Sequence, residues 1–143
     1  MININILYDN HKKVELDNNW LTNICRKILH DNYQYSASIS IIISNDKKLL
    51  QLKKNYFDQD MLTDVIAFNL EEDMGPIEGE VYISFTRVLD NAKKYKQDSI
   101  IELKRVIIHG ILHLTGYNDQ SPEERQKMTE LEDHYLDRNI DQN

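Results

Sequence analysis

Two histidines stand four residues apart in the segment HGILHLTGYND, which spans residues 109–119. If this segment is helical, the spacing places the imidazoles of His109 and His113 one above the other on one face, close enough to bind a single ion. Gly116 is expected to end the helix in the left-handed conformation and to turn the chain back. The carboxylate of Asp119, three residues later, can then reach the two imidazoles. These three side chains are therefore predicted to bind a metal ion.

The number of ligands indicates the kind of metal site. Three protein ligands leave one coordination position for water or substrate, which is typical of catalytic zinc, whereas a structural zinc site is closed by four protein ligands, often cysteines. The chain has a single cysteine, so we predict a catalytic centre with one divalent ion per chain. Zn²⁺ is the first expectation, with Ni²⁺ or Mn²⁺ as alternatives. His134, beside Asp133, is an alternative to Asp119 as the third ligand.

The residue that follows His109 argues against one class of metalloenzyme. In HExxH peptidases this position holds the glutamate that acts as general base, but here it is Gly110, which disfavours peptide hydrolysis. A glycine inside a helix costs about 1 kcal/mol relative to alanine, so Gly110 predicts that another segment packs closely against the helix. Glu102, two turns before His109, either supports that histidine from behind or pairs with Arg105.

The pattern of apolar residues predicts an α+β fold. Strands are expected at residues 2–6, 37–43, 64–70 and 80–85, and helices at 18–31, 47–57, 86–95, 99–114 and from residue 122 onward. This order, β-α-β-α-β-β-α-α-α, predicts a single domain over residues 1–143. Its core would be a roughly four-stranded mixed sheet packed by about five helices, with the metal-binding helix near the C-terminal third.

The composition limits where the protein works and what it binds. A formal net charge of −7 argues against broad, charge-driven binding of nucleic acid, although paired lysines such as Lys53 and Lys54 leave room for a local basic surface. The N-terminus lacks the pattern of a secretory signal peptide, and no apolar stretch approaches the ~20 residues that span a bilayer. Cys25 lies in an apolar helical stretch and is expected to be a buried, inert thiol. We therefore expect a cytoplasmic protein without membrane association.

Three segments together resemble one known family. HGILHLTGYND resembles the HGxLHLxGYDH motif of the YbeY metallo-endoribonucleases, bacterial factors of ribosomal RNA processing and quality control. LKKNYFDQDMLTDVIAF, residues 52–68, is similar to the LNxxYRxxDxxTDVLSF segment of that family, and GEVYIS, residues 79–84, is similar to its GDIxIS strand. The resemblance covers nearly the whole chain. It implies an α+β fold and a metal-dependent endoribonuclease specific for single-stranded RNA, with ribosomal RNA precursor and the small ribosomal subunit as partners.

The resemblance also suggests roles for individual residues. His109 and His113 match two metal ligands of the family, and His109 is also expected to be catalytic. The third ligand of the family is a histidine at the position of Asp119, so the carboxylate is a substitution that a two-histidine, one-carboxylate site tolerates. Thr63 and Asp64 match the family segment and are expected to line the substrate groove.

A second departure from the family motif is the loss of a positively charged side chain. The family motif has an arginine, resembling a phosphate-binding group, where this chain has Phe57. Arg87, at the start of the helix after GEVYIS, or Lys54 is proposed to bind the substrate in its place, with Arg87 also a candidate catalytic residue.

Two other functions remain open from the sequence alone. The first is a non-catalytic ribosome-assembly factor with a structural or vestigial metal site, which Phe57 and the net negative charge favour. The second is a metallohydrolase of another substrate class, which Gly110 disfavours.

Overall fold

The strands and helices follow the predicted order. The structure is a computed structural model that describes residues 1–9, 11–71 and 75–137. Its elements are β1 (Ile2–Tyr8), α1 (Asn18–Asp31), β2 (Ala37–Ser44), α2 (Asp46–Phe57), β3 (Val65–Asn69), β4 (Ile77–Ser84), α3 (Phe85–Lys94), α4 (Ser99–Leu114) and α5 (Pro122–Asp137). Residues 72–74 of the predicted loop before the fourth strand, and residues 138–143 of the predicted domain, lie outside the described residues.

Side chains that cap the helix N-termini explain where the helices begin. Asp17 accepts hydrogen bonds from backbone N–H groups in the first turn of α1, and Asn45, Ser84 and Asp98 do the same for α2, α3 and α4. Each cap satisfies backbone donors that have no partner within the helix. Because caps are local features of the sequence, the predicted bounds of α1 and α4 agree with the structure.

The four strands form one mixed sheet in the order β1-β2-β4-β3. β1, β2 and β4 are parallel to one another, and β3 is antiparallel to β4. The structure therefore confirms the predicted fold class. β3 is an edge strand, and its residues line the same pocket as the predicted metal ligands.

The two faces of the sheet carry different helices because successive side chains of a strand point to opposite faces. On one face, Val81 of β4 belongs to the main core together with α4 residues such as Ile107. On the other face, Ile66 of β3 packs with Leu49 and Leu52 of α2 in a smaller cluster. The edge strand is thus flanked by α4 on one side and by α2 on the other.

α4 lies at the centre of the main core. It packs against α1, α3 and α5 as well as β3 and β4, and its residues Leu103, Ile107 and Ile111 are fully buried. Even so, neither α4 nor any other helix in the described ranges is long and apolar enough to cross a membrane.

Gly110 is the point at which α4 meets the sheet. A Cβ atom at this position would lie 2.5 Å from Cγ1 of Val81 and 3.3 Å from Cγ2 of Val65. The absence of a side chain therefore lets α4 approach β3 and β4, as the glycine predicts. This close approach brings the histidine-bearing end of α4 to the edge strand.

Candidate metal centre

The predicted metal ligands lie together at the C-terminal end of α4. His109 and His113 occupy the last two turns, and each side chain is about a quarter exposed. Gly116 has a φ of 106°, which confirms the predicted left-handed turn, and the chain then returns Asp119 to the two imidazoles. Across the described ranges, these three side chains form the group that can hold a metal ion, with donor atoms all within 4.8 Å of one another.

The separations of the three donor atoms suit one ion. Asp119 Oδ2 lies 3.2 Å from His109 Nε2 and 3.4 Å from His113 Nε2, and the two nitrogens are 2.9 Å apart. Donors that bind zinc tetrahedrally at about 2.0–2.2 Å are themselves separated by roughly 3.3–3.6 Å. A small outward movement of the two imidazoles therefore accommodates a tetrahedral ion.

Hydrogen bonds on the far side of each imidazole determine which nitrogen faces the site. His109 Nδ1 lies 2.6 Å from Glu132 Oε2, and His113 Nδ1 lies 2.9 Å from the carbonyl oxygen of Tyr117. Both oxygens accept hydrogen bonds, so we assign the ring proton to Nδ1 in each histidine. In the neutral rings, both Nε2 lone pairs then point at each other and at the carboxylate of Asp119. The two Nε2 atoms and the carboxylate are then three electron-pair donors with no hydrogen between them. Such a group favours a cation at its centre, as a metal site does.

The pKa values of the two histidines respond to the same arrangement. Burial is the largest single effect on the pKa of His109 and lowers it. The hydrogen bond and charge of Glu132, together with the charges of Asp119 and Asp64, outweigh burial, so the net pKa of His109 is raised. Burial, and then the positive charge of His109, lower the pKa of His113. His109 is therefore protonated more readily than His113, as expected where two neighbouring imidazoles compete for one proton.

Glu132 is a supporting residue of this site that the sequence analysis missed. It lies on α5 and is only 7% exposed, and its second carboxylate oxygen accepts a hydrogen bond from Arg105 at 3.0 Å. A carboxylate behind a metal-binding histidine fixes the orientation of the ring and increases the basicity of the nitrogen that faces the metal. Because 23 residues separate His109 from Glu132, no local pattern in the sequence could have indicated the pair.

The ion pairs of Arg105 are formed with α5, and its charge acts on Glu102 only by opposing the increase in the pKa of that carboxyl. Arg105 forms its ion pairs with Glu132 and Asp133 of α5. Glu102 is 8% exposed, and its pKa is raised by burial first and by the negative charge of Asp64 second. The support behind His109 thus comes from Glu132.

An open pocket of about 420 Å³ is lined by the three candidate metal ligands. Thr63 and Asp64 line it, together with β3 residues from the edge of the sheet. Burial raises the pKa of the Asp64 carboxyl, and the charge of His109 opposes that increase. The structure therefore brings both predicted groove residues next to the candidate metal ligands.

Arg87 and Lys54, the side chains predicted to replace the arginine of the motif, do not line this pocket. Arg87, on α3, places its Nε 3.2 Å from both carboxylate oxygens of Asp46 and also pairs with Asp90. Lys54 is exposed on α2, whereas its neighbour Lys53 lines the pocket. The roles of Arg87 and Lys54 in substrate binding therefore stay predictions, and Lys53 is a further cation to consider.

His134, the alternative third ligand, lies outside the group of metal donors. It is exposed on α5, and its ring packs against Tyr135 with 5.0 Å between ring centroids. The carboxylate of Asp119 is the third donor beside the two histidines.

Comparison with known proteins identifies the family to which this arrangement belongs. A family model described as Endoribonuclease YbeY matches residues 6–139. The chain belongs to the YbeY family. The YbeY endoribonuclease of Amoebophilus asiaticus is 42% identical over 117 residues, which are 82% of this chain and 77% of the relative. The YbeY endoribonuclease of Cytophaga hutchinsonii is 40% identical over 115 residues, or 80% of this chain and 77% of the relative.

A solved structure shares the fold. The solution structure of a Thermotoga maritima protein is 28% identical to this chain and superimposes with a TM-score of 0.63. The match covers 93% of this chain and 86% of the other. The α+β architecture is therefore common to both proteins.

Two positions that depart from the YbeY motif are both in the pocket. Asp119 stands where the motif has the third histidine and supplies an oxygen donor to the group. Phe57 stands where the motif has an arginine, and it lines the pocket with 44% of its surface exposed. The chemistry of this chain at both positions thus differs from that of the motif.

Proposed function

We propose that this protein is a metal-dependent endoribonuclease specific for single-stranded RNA, acting in ribosomal RNA maturation and ribosome quality control. The observation that carries the proposal is the convergence of His109 Nε2, His113 Nε2 and Asp119 Oδ2 on one point at an open pocket, in a chain of the YbeY family. Relatives in this family are named endoribonucleases. We expect ribosomal RNA precursor and the small ribosomal subunit to be the partners and the cytoplasm to be the location.

The residues of the chain have distinct tasks in this proposal. His109, His113 and Asp119 would hold one divalent ion, for which Zn²⁺ is the first candidate and Ni²⁺ or Mn²⁺ are alternatives, since two nitrogens and one oxygen suit all three. When bound, such an ion supplies Lewis-acid stabilisation of charge on a phosphoryl oxygen and lowers the pKa of water. Glu132 holds the ring of His109 in the orientation that directs Nε2 into the pocket.

The substrate would be held in the pocket that contains these donors. Thr63 and Asp64 line it together with the candidate metal ligands, and Lys53 adds a positive charge to the same pocket. We assign substrate binding to Thr63 and Asp64, and keep Arg87 and Lys54 as candidates that contact a longer RNA beyond the pocket.

His109→Ala tests the proposal. Because the substitution removes one of three donors, we expect the metal content to fall from near one ion per chain to near zero, and cleavage of single-stranded RNA to fall to background. Metal is measured by elemental mass spectrometry on untagged protein, and cleavage by gel electrophoresis. His134→Ala serves as the control for the alternative third ligand and should retain both properties. Full cleavage by the His109→Ala protein would refute this assignment of the active site.

A second candidate function is a ribosome-assembly factor that does not cleave RNA. The observation that favours it is the location of Arg87, whose guanidinium pairs with Asp46 on α2 and Asp90 on α3 and which does not line the pocket where the motif has its arginine. Co-sedimentation with the small ribosomal subunit, together with an absence of RNase activity in zinc-loaded protein, would favour this function over the nuclease.

A further inference from the structure

Phe57 is an exposed aromatic ring in a pocket whose other functional groups are polar. It is the last residue of α2, it keeps 44% of its surface exposed, and it lines the same pocket as His109, His113 and Asp119. An apolar ring left open to water beside a candidate metal centre gains free energy when a ligand covers it.

The ring of Phe57 is held in place by other aromatic residues. It stacks on Phe68 of β3 with ring centroids 5.8 Å apart and planes 21° apart. Phe68 in turn receives the ring of Tyr56 edge-on at 5.3 Å and contacts Tyr82 of β4 at 6.0 Å. A ring supported in this way presents its surface without first having to be ordered, which makes stacking by a ligand more favourable.

The charges in the pocket indicate what kind of planar ligand fits. Lys53 lines the pocket, and its Nζ lies over the Phe57 ring, 5.0 Å from the centroid, where it donates a hydrogen bond to Gln59 Oε1 at 3.4 Å. The lysine side chain is long and flexible, so its ammonium group can move from the ring to a phosphate when a base stacks there. The combination of an aromatic face with an adjacent cation matches one nucleotide, whose base stacks while its phosphate meets the ammonium group. The net charge of −7 leaves little general attraction for RNA, so a local stacking contact gains importance.

We propose that Phe57 is a stacking platform for one unpaired nucleobase of single-stranded RNA, with Lys53 contacting an adjacent phosphate. The proposal rests on the proposed nuclease function and specifies how its site holds the substrate. A base in a duplex has both faces covered by its neighbours, so the platform selects unpaired nucleotides whatever their sequence. Phe57 and the candidate metal ligands line the same pocket, so a nucleotide stacked on Phe57 would occupy that pocket together with the phosphodiester to be cleaved.

The test measures stacking directly on the zinc-loaded protein. The probe is a short single-stranded RNA with 2′-O-methyl and phosphorothioate groups that resist cleavage, and with one 2-aminopurine whose fluorescence is quenched by stacking. Phe57→Ala should weaken binding roughly 5- to 150-fold, the range that loss of one base–aromatic stack produces, and should abolish the quenching. Phe57→Trp should retain both. Tyr95→Ala is the matched control, because Tyr95 is also an exposed ring with a lysine over it, but it does not line the pocket; it should leave binding and quenching unchanged.

Two further measurements separate stacking from a structural effect of the substitution. An abasic site in place of 2-aminopurine should weaken binding to the unsubstituted protein by the same factor, and should leave Phe57→Ala unaffected. Lys53→Gln should reduce the slope of log affinity against log salt by roughly 0.7, as expected for one lost phosphate contact with a single strand.

The outcomes distinguish this proposal from the nuclease function. Cleavage of natural RNA that requires zinc but is unchanged in Phe57→Ala, together with unchanged probe binding, would leave the nuclease standing and overturn the platform. Binding and quenching that depend on Phe57, without any cleavage, would support the platform on a non-catalytic RNA-binding protein. A protein that binds no RNA probe would overturn the platform, and the ring would then be open to another partner, such as an apolar protein side chain.

Discussion

At the candidate metal centre, metal binding depends on which ring nitrogen of each histidine faces the site, and not only on the presence of two histidines. Two histidines four apart on a helix bind a metal only if the correct nitrogen of each ring faces the ion. Here Glu132 and the carbonyl oxygen of Tyr117 accept hydrogen bonds from the two Nδ1 atoms, so both Nε2 atoms face Asp119. The geometry of the site thus depends on partners that do not themselves bind the ion.

Glu132→Gln tests this dependence. The amide keeps the size of the side chain but removes the negative charge that increases the basicity of His109, so we expect zinc affinity to fall about 10- to 100-fold. Competition with a chromophoric zinc chelator measures the affinity. Glu130→Gln is the matched control, because Glu130 is exposed on the same helix, and it should bind zinc like the unsubstituted protein. Equal affinities for the two variants would show that Glu132 does not support the site.

Cys25 gives a second prediction at the scale of one residue. The thiol is fully buried in the main core, and burial raises its pKa to about 12. At pH 8.5, where about half of the thiols in an unfolded chain are thiolate, the folded thiol stays protonated and unreactive. We expect iodoacetamide to label Cys25 only after denaturant is added, as followed by intact mass spectrometry. Labelling of the folded protein at the rate of the unfolded chain would contradict the burial of this residue.

The sequence predicts the ligands at this scale but not their supports. His109, His113 and Asp119 lie within one helix and the turn after it, so their proximity follows from helical geometry and the left-handed Gly116. Glu132 reaches the site only because α5 packs against α4. That packing depends on the whole core, which no spacing rule describes.

At the scale of helices and strands, features set by local sequence signals could be predicted, and features set by long-range contacts could not. Asp17 and Asp98 are local capping signals, and the helices that follow them begin where the sequence indicates. β4 begins at Ile77, three residues before the predicted start, because its first residues continue the pairing with β2 and β3. Strand order is also a property of these long-range pairs, and the sequence predicted a mixed sheet without its order.

Gly110 is an exception. The unfavourable helix propensity of a glycine inside α4 is a local feature, yet it correctly indicated a long-range contact with the sheet. Gly110→Ala should test it. Alanine favours the helix by up to about 1 kcal/mol, but its Cβ would meet Val81 Cγ1 at 2.5 Å, and overpacking of this kind typically costs about 1–3 kcal/mol. We expect a net decrease in the free energy of unfolding, measured by urea titration.

Two further variants show whether the clash is the cause. Adding Val81→Ala to Gly110→Ala should cost less than the sum of the two single substitutions, because the smaller side chain makes room for the new Cβ. Ile101→Ala, at a position of α4 that is 40% exposed, should change stability little. A Gly110→Ala protein as stable as the original would mean that α4 can move away from the sheet without cost.

At the scale of the whole molecule, the candidate metal centre links α4, the turn after it and α5, in addition to the packing and ion pairs that already join the two helices. Two ligands lie on α4, the third lies in the turn before α5, and Glu132 on α5 supports His109. A cation at this point therefore stabilises the docking of α5 on α4, together with the pocket wall. Its binding energy should appear in the stability of the folded chain, because the unfolded chain does not hold the three donors together.

Thermal unfolding with and without zinc measures this effect. A free zinc concentration about 100 times the dissociation constant stabilises the folded state by about 2.7 kcal/mol, which for a domain of this size raises Tm by roughly 8–10 °C. Circular dichroism in the presence of chelator and then of zinc provides the comparison. His113→Ala is the control, since with two donors left its Tm should hardly respond to zinc. If zinc leaves the Tm of the unsubstituted protein unchanged, the three donors do not form a metal site in solution, and the non-catalytic function becomes the better explanation of the fold.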